Sequence, residues 1–168
     1  MFDSPLVVKQ EAFLKFLTLL YMASKNWFEC KIQYEKTMEN GVQKKVTEPY
    51  LVDAFSFTEA EGRIIEEITP FISGEFNVTD IMRANYSEVH PSTDSNADRW
   101  FKFKLQFIVL DEKSGKEKKT PCFVLVQAAD FKDAIRKLEE SMKGSMADYI
   151  IASCNETAYM DVYFYKQQ

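Results

Sequence analysis

The chain repeats one stretch of alternating residues, and this repeat constrains its fold more than any other feature. Residues 27–34 (WFECKIQY) match residues 100–107 (WFKFKLQF) position by position. In both stretches apolar side chains occupy every second position, and the positions between them hold mostly Trp, Lys and Gln. Alternation with a period of two is typical of a half-buried β-strand. We therefore predict that the same structural unit occurs twice in the chain.

The segments after each stretch also correspond. An Asn-Gly pair at 40–41 and a Ser-Gly pair at 114–115 each precede two lysines. Asn-Gly is a strong hairpin signal because glycine tolerates a positive φ angle, and Ser-Gly is a weaker one. More continuously apolar segments follow, at 50–55 and 122–128. The pattern predicts a β-hairpin at the start of each unit.

Each hairpin is followed by a segment with helical spacing of apolar residues. Thr58 and Glu61 have the spacing of a capping box for the first helix, and Asp130 is a suitable cap for the second. A last pair of similar segments lies at 86–89 (YSEV) and 159–162 (YMDV). Four matches in the same order indicate an internal duplication.

These patterns predict an α+β fold. It consists of two tandem ββαβ repeats related by a pseudo-twofold axis, with a mainly antiparallel sheet and two helices packed on one face. The first repeat spans residues 22–90 and the second spans 100–168, joined by a linker at 91–99 that is rich in Pro, Ser, Asp and Asn. We expect one shared compact domain, whose strands form either one continuous sheet or two.

Residues 1–21 differ from the rest of the chain. Their apolar run is interrupted by Lys15 and is too short to span a bilayer, which needs about 20 apolar residues, so no membrane association is expected. The segment is predicted to be an amphipathic helix that docks on the domain or on a partner. Alternatively it is an extension outside the native product, because Met22 begins a sequence that resembles a natural start.

Composition narrows the classes of function. The formal net charge is −5, which gives no broad positive field for a polyanion. Three scattered cysteines are typical of reduced thiols in a cytoplasmic protein. His90 is the only histidine, which excludes a zinc site built on two histidines and limits triad chemistry. The sequence predicts no metal and no cofactor, and it favours a non-enzymatic role over an enzyme based on carboxylates.

One candidate binding surface follows from the alternation. Aromatic rings and lysines alternate on the side of each first strand that faces away from the core, with further lysines beyond each turn. The candidate residues are Trp27, Lys31, Gln33, Lys44, Lys45, Trp100, Lys102, Lys104, Gln106, Lys118 and Lys119. Such a surface suits another protein, and alternatively single-stranded nucleic acid, for which rings supply stacking and lysines contact phosphates. Lysines on hairpins also protect strand edges from unwanted pairing, which is the structural alternative.

Five segments carry a resemblance to known sequences. They are WFECK (27–31), YEK (34–36), VTEPYLVDA (46–54), ANYSE (84–88) and MADY (146–149). These segments resemble a family of small bacterial and bacteriophage proteins that is defined only as a domain of unknown function, over about residues 25–163. The resemblance implies a bacterial or phage source and supplies no catalytic residues. The leading hypothesis is a non-enzymatic binding or regulatory protein, related to a phage or mobile element, that acts through protein contacts. Homo-oligomerisation is left open.

Overall fold

A computed structural model describes residues 26–145 and 147–165 of the chain. The predicted helix over residues 1–21 lies outside the described residues. The elements, in chain order, are β1 (Asn26–Thr37), β2 (Gln43–Ala54), α1 (Phe57–Ile68), β3 (Phe76–Ala84), β4 (Glu88–His90), β5 (Arg99–Leu110), β6 (Glu117–Ala128), α2 (Phe131–Met142), β7 (Tyr149–Glu156) and β8 (Val162–Tyr163). The described residues form two compact units. The first unit comprises 26–84 and 161–165, and the second lies within 85–160.

The first unit is a four-stranded sheet with one helix. Its strand order is β3-β1-β2-β8, where β1 is antiparallel to both neighbours and β8 is parallel to β2. The alternation of β1 places Phe28 and Ile32 on the side of α1, where both are fully buried. Ile64 and Ile68, one helical turn apart, pack into the same core. The amphipathic helix therefore covers one face of the sheet.

The second unit has the same kind of core. Its strand order is β4-β6-β5-β7, with β4 parallel to β6 and the other pairs antiparallel. Phe101, Phe103 and Leu105 of β5 are fully buried, and Leu138 of α2 packs against them. Both units also contain a register shift at the matching place in the leading strand, after Lys31 in β1 and after Lys104 in β5.

The helix caps differ in part from the sequence prediction. Ser56 caps α1 by accepting a hydrogen bond from the amide of Glu59, and the Glu59 carboxylate accepts one from the amide of Phe55. The predicted capping box of Thr58 and Glu61 is therefore wrong by two residues, because the helix already begins at Phe57. Asp130 caps α2 as predicted, by accepting from the amide of Asp133.

The predicted α+β class with two helices and mainly antiparallel strands is confirmed. The strands form two sheets, and β3 and β7 were not predicted from the sequence. The predicted last strands, at 86–89 and 159–162, overlap β4 and β8. β4 completes the sheet of the second unit and β8 that of the first, so the units do not coincide with the two sequence repeats. The pseudo-twofold relation and the single shared domain remain predictions.

The described helices α1 and α2 each contain 12 residues, and neither has the length and apolar character needed to cross a membrane.

Candidate functional site

In the first unit the predicted surface residues fall on both faces of the sheet. Trp27, Lys31 and Gln33 of β1 lie on the face away from α1, as the alternation predicted. Lys45 of β2 shares that face by its register. Lys44, one residue earlier, lies on the opposite face. The sheet therefore brings together four of these five residues.

Two polar members of this group, Lys31 and Gln33, have partners within the unit. The Lys31 ammonium lies 3.6 Å from a carboxylate oxygen of Asp80, and the Gln33 amide donates to the hydroxyl of Thr47 over 3.4 Å. Trp27 is half-buried, and its ring meets that of Phe164 edge to face at 5.3 Å. The charge of Lys31 is therefore balanced by its neighbour, which weakens the case for a phosphate-binding surface.

Trp100 in the second unit is buried, with 3% of its surface exposed. The prediction that it forms part of an exposed surface is wrong. Alternation correctly separated it from the core facing α2, but the face away from α2 also contains the fully buried Leu125. The carbonyl of Trp100 accepts hydrogen bonds from both the amide and the hydroxyl of Thr157 at 2.8 Å.

The remaining candidates in the second unit occupy different environments. The Lys102 ammonium lies over the rings of Phe123, at 4.9 Å, and Tyr86, at 5.6 Å. Lys104 and Gln106 are half-buried, whereas Lys118 and Lys119 are exposed near the turn. By register, Lys119 lies on the face away from α2 and Lys118 on the face of α2. The structure therefore does not gather these residues into one stacking surface.

The structure places two groups of rings with arginines near the start of α1, one around Arg63 and one around Arg83. We call the two groups together the aromatic–arginine cluster and define it as Phe55, Phe57, Arg63, Arg83 and Tyr165. The exposed fractions of Phe55, Phe57 and Tyr165 are 43%, 46% and 38%. The Phe55 and Tyr165 rings lie 6.0 Å apart, and the Arg63 guanidinium lies 5.1 Å from the Tyr165 ring centroid. The Arg83 guanidinium lies 5.5 Å from the Phe57 ring centroid.

Arg63 links α1 to the end of β2 and to the segment that carries Tyr165. Its guanidinium donates to the backbone carbonyl of Asp53 and, over 2.5 Å, to the carboxylate of the same residue. It also donates to the backbone carbonyl of Phe164 over 2.9 Å, which holds the segment after β8. Only 4% of the Asp53 side chain is exposed. The pair is therefore shielded from solvent, where a charged hydrogen bond is strong and its loss is costly.

A second rigid group lies on the α1 side of the sheet. The Glu48 carboxylate accepts hydrogen bonds from the hydroxyls of Tyr34, at 3.0 Å, and Tyr50, at 3.3 Å. The Lys36 ammonium lies 3.4 Å from the other carboxylate oxygen. Burial, with a further contribution from Glu48, raises the pKa of Tyr50, and burial also raises the pKa of Tyr163 to about 12. Both phenols therefore stay protonated at neutral pH, and that of Tyr50 donates to Glu48.

The first unit also contains an open cleft of about 830 Å³, which we call the polar cleft. It lies beside the hairpin end of β1, and the segment between α1 and β3 forms one wall. Most lining residues carry amides, hydroxyls or charges. Its lining includes Gln33, Thr37, Gln43, Phe71, Ser73 and Asn77. Phe71 is 77% exposed, more than any other large hydrophobic residue in the described part of the chain.

Comparison with protein-family models shows where the chain belongs. One model matches residues 26–165, from the first residue of β1 to just beyond β8. The chain belongs to the DUF4494 family, a domain of unknown function. The family resemblance inferred from the sequence is thereby confirmed. No curated protein and no solved structure gives a significant match.

Chemically reactive groups in this DUF4494 domain are limited. Burial, followed by the charges of Glu29 and Glu61, raises the pKa of Cys30 to about 12, so its thiolate is scarce at neutral pH. Cys122 and Cys154 are free and half-buried. Over 26–145 and 147–165, no group of three or more His, Cys, Asp or Glu side chains is arranged to hold a metal ion.

The aromatic–arginine cluster was missed by sequence reasoning because its members come from four separate segments. One local signal pointed toward it. Asp53 stands in an otherwise apolar stretch of β2, and a buried carboxylate in such a place needs a cationic partner. The search for that partner would have led to Arg63.

Proposed function

We propose that this protein is a non-enzymatic binding module, acting in the cytoplasm of a bacterium or a phage-infected cell, that contacts another protein through the aromatic–arginine cluster. The observation that supports the proposal is the exposure of three aromatic rings beside two arginines. Aromatic residues and arginine are enriched in protein interfaces and dominate their binding energy. A phage or mobile-element origin is part of the same proposal.

The two arginines of the cluster are already held in place by neighbouring groups. Arg63 is held by Asp53 and Phe164, and Arg83 lies over the rings of Phe28 and Phe57. Side chains that are already ordered lose little conformational entropy when a partner arrives, which favours affinity. The partner that fits this chemistry presents an apolar surface for the rings and a carboxylate for the exposed Arg83.

Protein binding is better supported than binding of single-stranded nucleic acid. Lys31 is balanced by Asp80 and Lys36 by Glu48, so neither of these two lysines offers an uncompensated charge to a phosphate. Trp100, a proposed stacking ring, is buried. Tight, strongly salt-dependent binding of a labelled single strand to the purified protein would contradict this ranking.

The proposal is tested with the double variant Phe55→Ala/Arg83→Ala. Both residues are exposed, so the variant should fold, which its thermal unfolding curve checks. Proteins captured from the host lysate are identified by mass spectrometry, and the best candidate is purified and titrated calorimetrically. Because hot-spot residues each contribute roughly 1 kcal/mol or more, we expect the dissociation constant to rise by about tenfold or more.

The matched control is Phe131→Ala in the second unit. Phe131 begins α2 as Phe57 begins α1, and 48% of it is exposed. This variant should keep the partner and its affinity. Equal affinities for the wild type and the Phe55→Ala/Arg83→Ala variant would remove the cluster from consideration.

A further inference from the structure

We infer that the polar cleft of the first unit binds a neutral saccharide. This site is separate from the aromatic–arginine cluster in its residues, and the inference does not depend on the proposed protein contact. It follows from four features of the cleft: its geometry, the chemistry of its walls, its balanced charge and its exposed ring.

The cleft exists because β1 is longer than its neighbour. The pairing of β1 with β3 ends where Tyr34 lies opposite Phe76, whereas β1 continues to Thr37. The segment after α1 turns back on itself, with the amides of Phe71 and Ile72 donating to the carbonyl of Ile68 at 2.9 and 3.3 Å. A depression remains between this segment and the end of β1.

The walls are rich in uncharged groups that both donate and accept hydrogen bonds. The residues that line the cleft include three with side-chain amides, Gln33, Gln43 and Asn77, and two with hydroxyls, Thr37 and Ser73. Each amide offers an oxygen acceptor and two N–H donors, and each hydroxyl offers both functions. Sugar hydroxyls are likewise both donors and acceptors, so such a lining can satisfy several of them at once.

The charges in the cleft balance. Lys36 and Lys45 are accompanied by Glu35 and Glu75 in the lining. Lys36 also lies 3.4 Å from the Glu48 carboxylate. A phosphorylated or sulfated ligand needs uncompensated cations, which such pairing does not provide. The ligand that matches this lining is polar and uncharged.

Phe71 supplies the apolar part of the site. Its ring is 77% exposed, while the next residue, Ile72, is half-buried against the core and anchors the segment. A pyranose ring has a face of C–H groups that packs on an aromatic ring, whose negative face attracts them. Phe71 is therefore the exposed ring of the lining that offers a sugar an apolar face for stacking.

The second unit has no such arrangement. The amide of Ile108 donates to the carbonyl of Asp148 at 2.9 Å, which holds the segment before β7 against β5. That segment, residues 143–148, contains no aromatic residue. The corresponding segment of the second unit therefore offers no ring for stacking.

The test is titration of isotope-labelled protein with four neutral hexasaccharides, of the malto-, cello-, xylo- and chito-series, followed by NMR. We expect at least one to shift the resonances of Phe71 and of the Gln33 side-chain amide at millimolar concentration. Phe71→Ala should then weaken binding by about tenfold or more, the scale expected for loss of a stacking contact. Gln33→Ala should weaken it by a smaller factor.

Leu110→Ala is the matched control, because Leu110 is 66% exposed and lies in the second unit, outside the cleft. It should bind as the wild type does. The inference would be overturned if no hexasaccharide shifts Phe71 at about 10 mM, a concentration that reveals even weak binding. It would equally be overturned if Phe71→Ala binds unchanged, or if only a nucleotide or an extended peptide shifts the cleft resonances.

Discussion

The two units have the same order of hairpin, helix and strand, yet their surfaces differ at corresponding places. The phenylalanine that begins each helix packs on a buried phenylalanine of the leading strand at 4.9 Å in both units. The positions around this common pair differ between the units. Phe55 of the first unit corresponds to Ala129 of the second, Arg83 corresponds to Glu156, and Tyr165 corresponds to Ser92. The core requires the shared pair, whereas the exposed positions are free to vary. The aromatic–arginine cluster therefore has no counterpart at these three positions of the second unit.

The ends of the two hairpins also differ in the polarity of their side chains. Glu35 and Lys36 of β1 correspond in register to Ile108 and Val109 of β5. Charged and polar groups therefore line the polar cleft in one unit, while apolar side chains occupy the equivalent strand in the other. The same arrangement of strands and helix thus carries different surface side chains in the two units.

The largest expected effect tests whether the two cores are equivalent. Phe28→Ala and Phe101→Ala each remove a fully buried ring. Each should lower the free energy of unfolding by about 3–5 kcal/mol, the usual cost of such a cavity. Urea unfolding followed by circular dichroism measures the loss, and hydrogen exchange shows which strands lose protection.

The control for this pair is Val42→Ala in the first hairpin turn. Val42 is 57% exposed, so its truncation should change stability by less than about 0.5 kcal/mol. A cost below about 1 kcal/mol for only one of the two phenylalanines would break the equivalence of the cores.

A second prediction compares the cation that each helix directs toward its sheet. Arg63 of α1 holds the nearly buried carboxylate of Asp53, whereas Lys137 of α2 contacts Asp133 at 3.0 Å and the hydroxyl of Ser92 at 2.9 Å. Arg63→Met should cost about 3 kcal/mol because it removes the charged hydrogen bonds that Arg63 makes to a nearly buried carboxylate. Lys137→Met should cost about 1 kcal/mol, as for an ordinary hydrogen-bonded pair.

Thermal and urea unfolding measure both costs, and hydrogen exchange at residues 162–165 reports release of the segment held by Arg63. The double variant Asp53→Asn/Arg63→Met serves as control and should recover part of the lost stability. Equal losses of stability for Arg63→Met and Lys137→Met would show that the Arg63–Asp53 pair stabilises the protein no more than the contacts of Lys137 do.

The smallest expected effect is a pH dependence of stability, and it comes from Asp133 in the second unit. The amide of Ala129 and the cations of Lys137 and Arg136 lower the pKa of Asp133 to about 2. An unfolded aspartate has a pKa of about 3.9. Because the folded value is the lower one, the stabilisation is present above about pH 4 and is lost as the pH falls toward about 2.

Asp133→Asn should therefore be less stable than the wild type at pH 7, with a gap that narrows between about pH 4 and pH 2. Urea unfolding at a series of pH values measures the gap. A constant difference over that range would contradict the role assigned to the Asp133 charge. Salt should reduce the effect, since most of the contacts are at the surface.

Periodicity in the sequence predicted the leading strands, the hairpins and both helices, because each has an unbroken local pattern. It missed β3 and β7 because each contains one residue without a direct partner on the leading strand, Thr79 in β3 and Ala152 in β7. The extra residue changes the spacing of inward side chains from two to three, which conceals the strand. Local pattern therefore suffices only where the pairing is regular.

The site was less predictable than the fold. Alternation showed on which side of β5 Trp100 lies, but it does not reveal that this side is also buried there. The aromatic–arginine cluster joins residues as far apart as Phe55 and Tyr165, which no local window contains. Phe71 was passed over because a single phenylalanine between Pro70 and Ile72 has no periodic neighbours.

The position of β8 has a consequence for how the molecule is made. β2 receives its parallel neighbour from residues 162–163, and Arg63 receives the carbonyl of Phe164. During synthesis residues 26–84 therefore leave the ribosome before the second unit, but their sheet lacks its fourth strand until residues 162–163 follow. A nonsense codon shortly before position 161 would thus damage a sheet whose other three strands had been translated before the second unit.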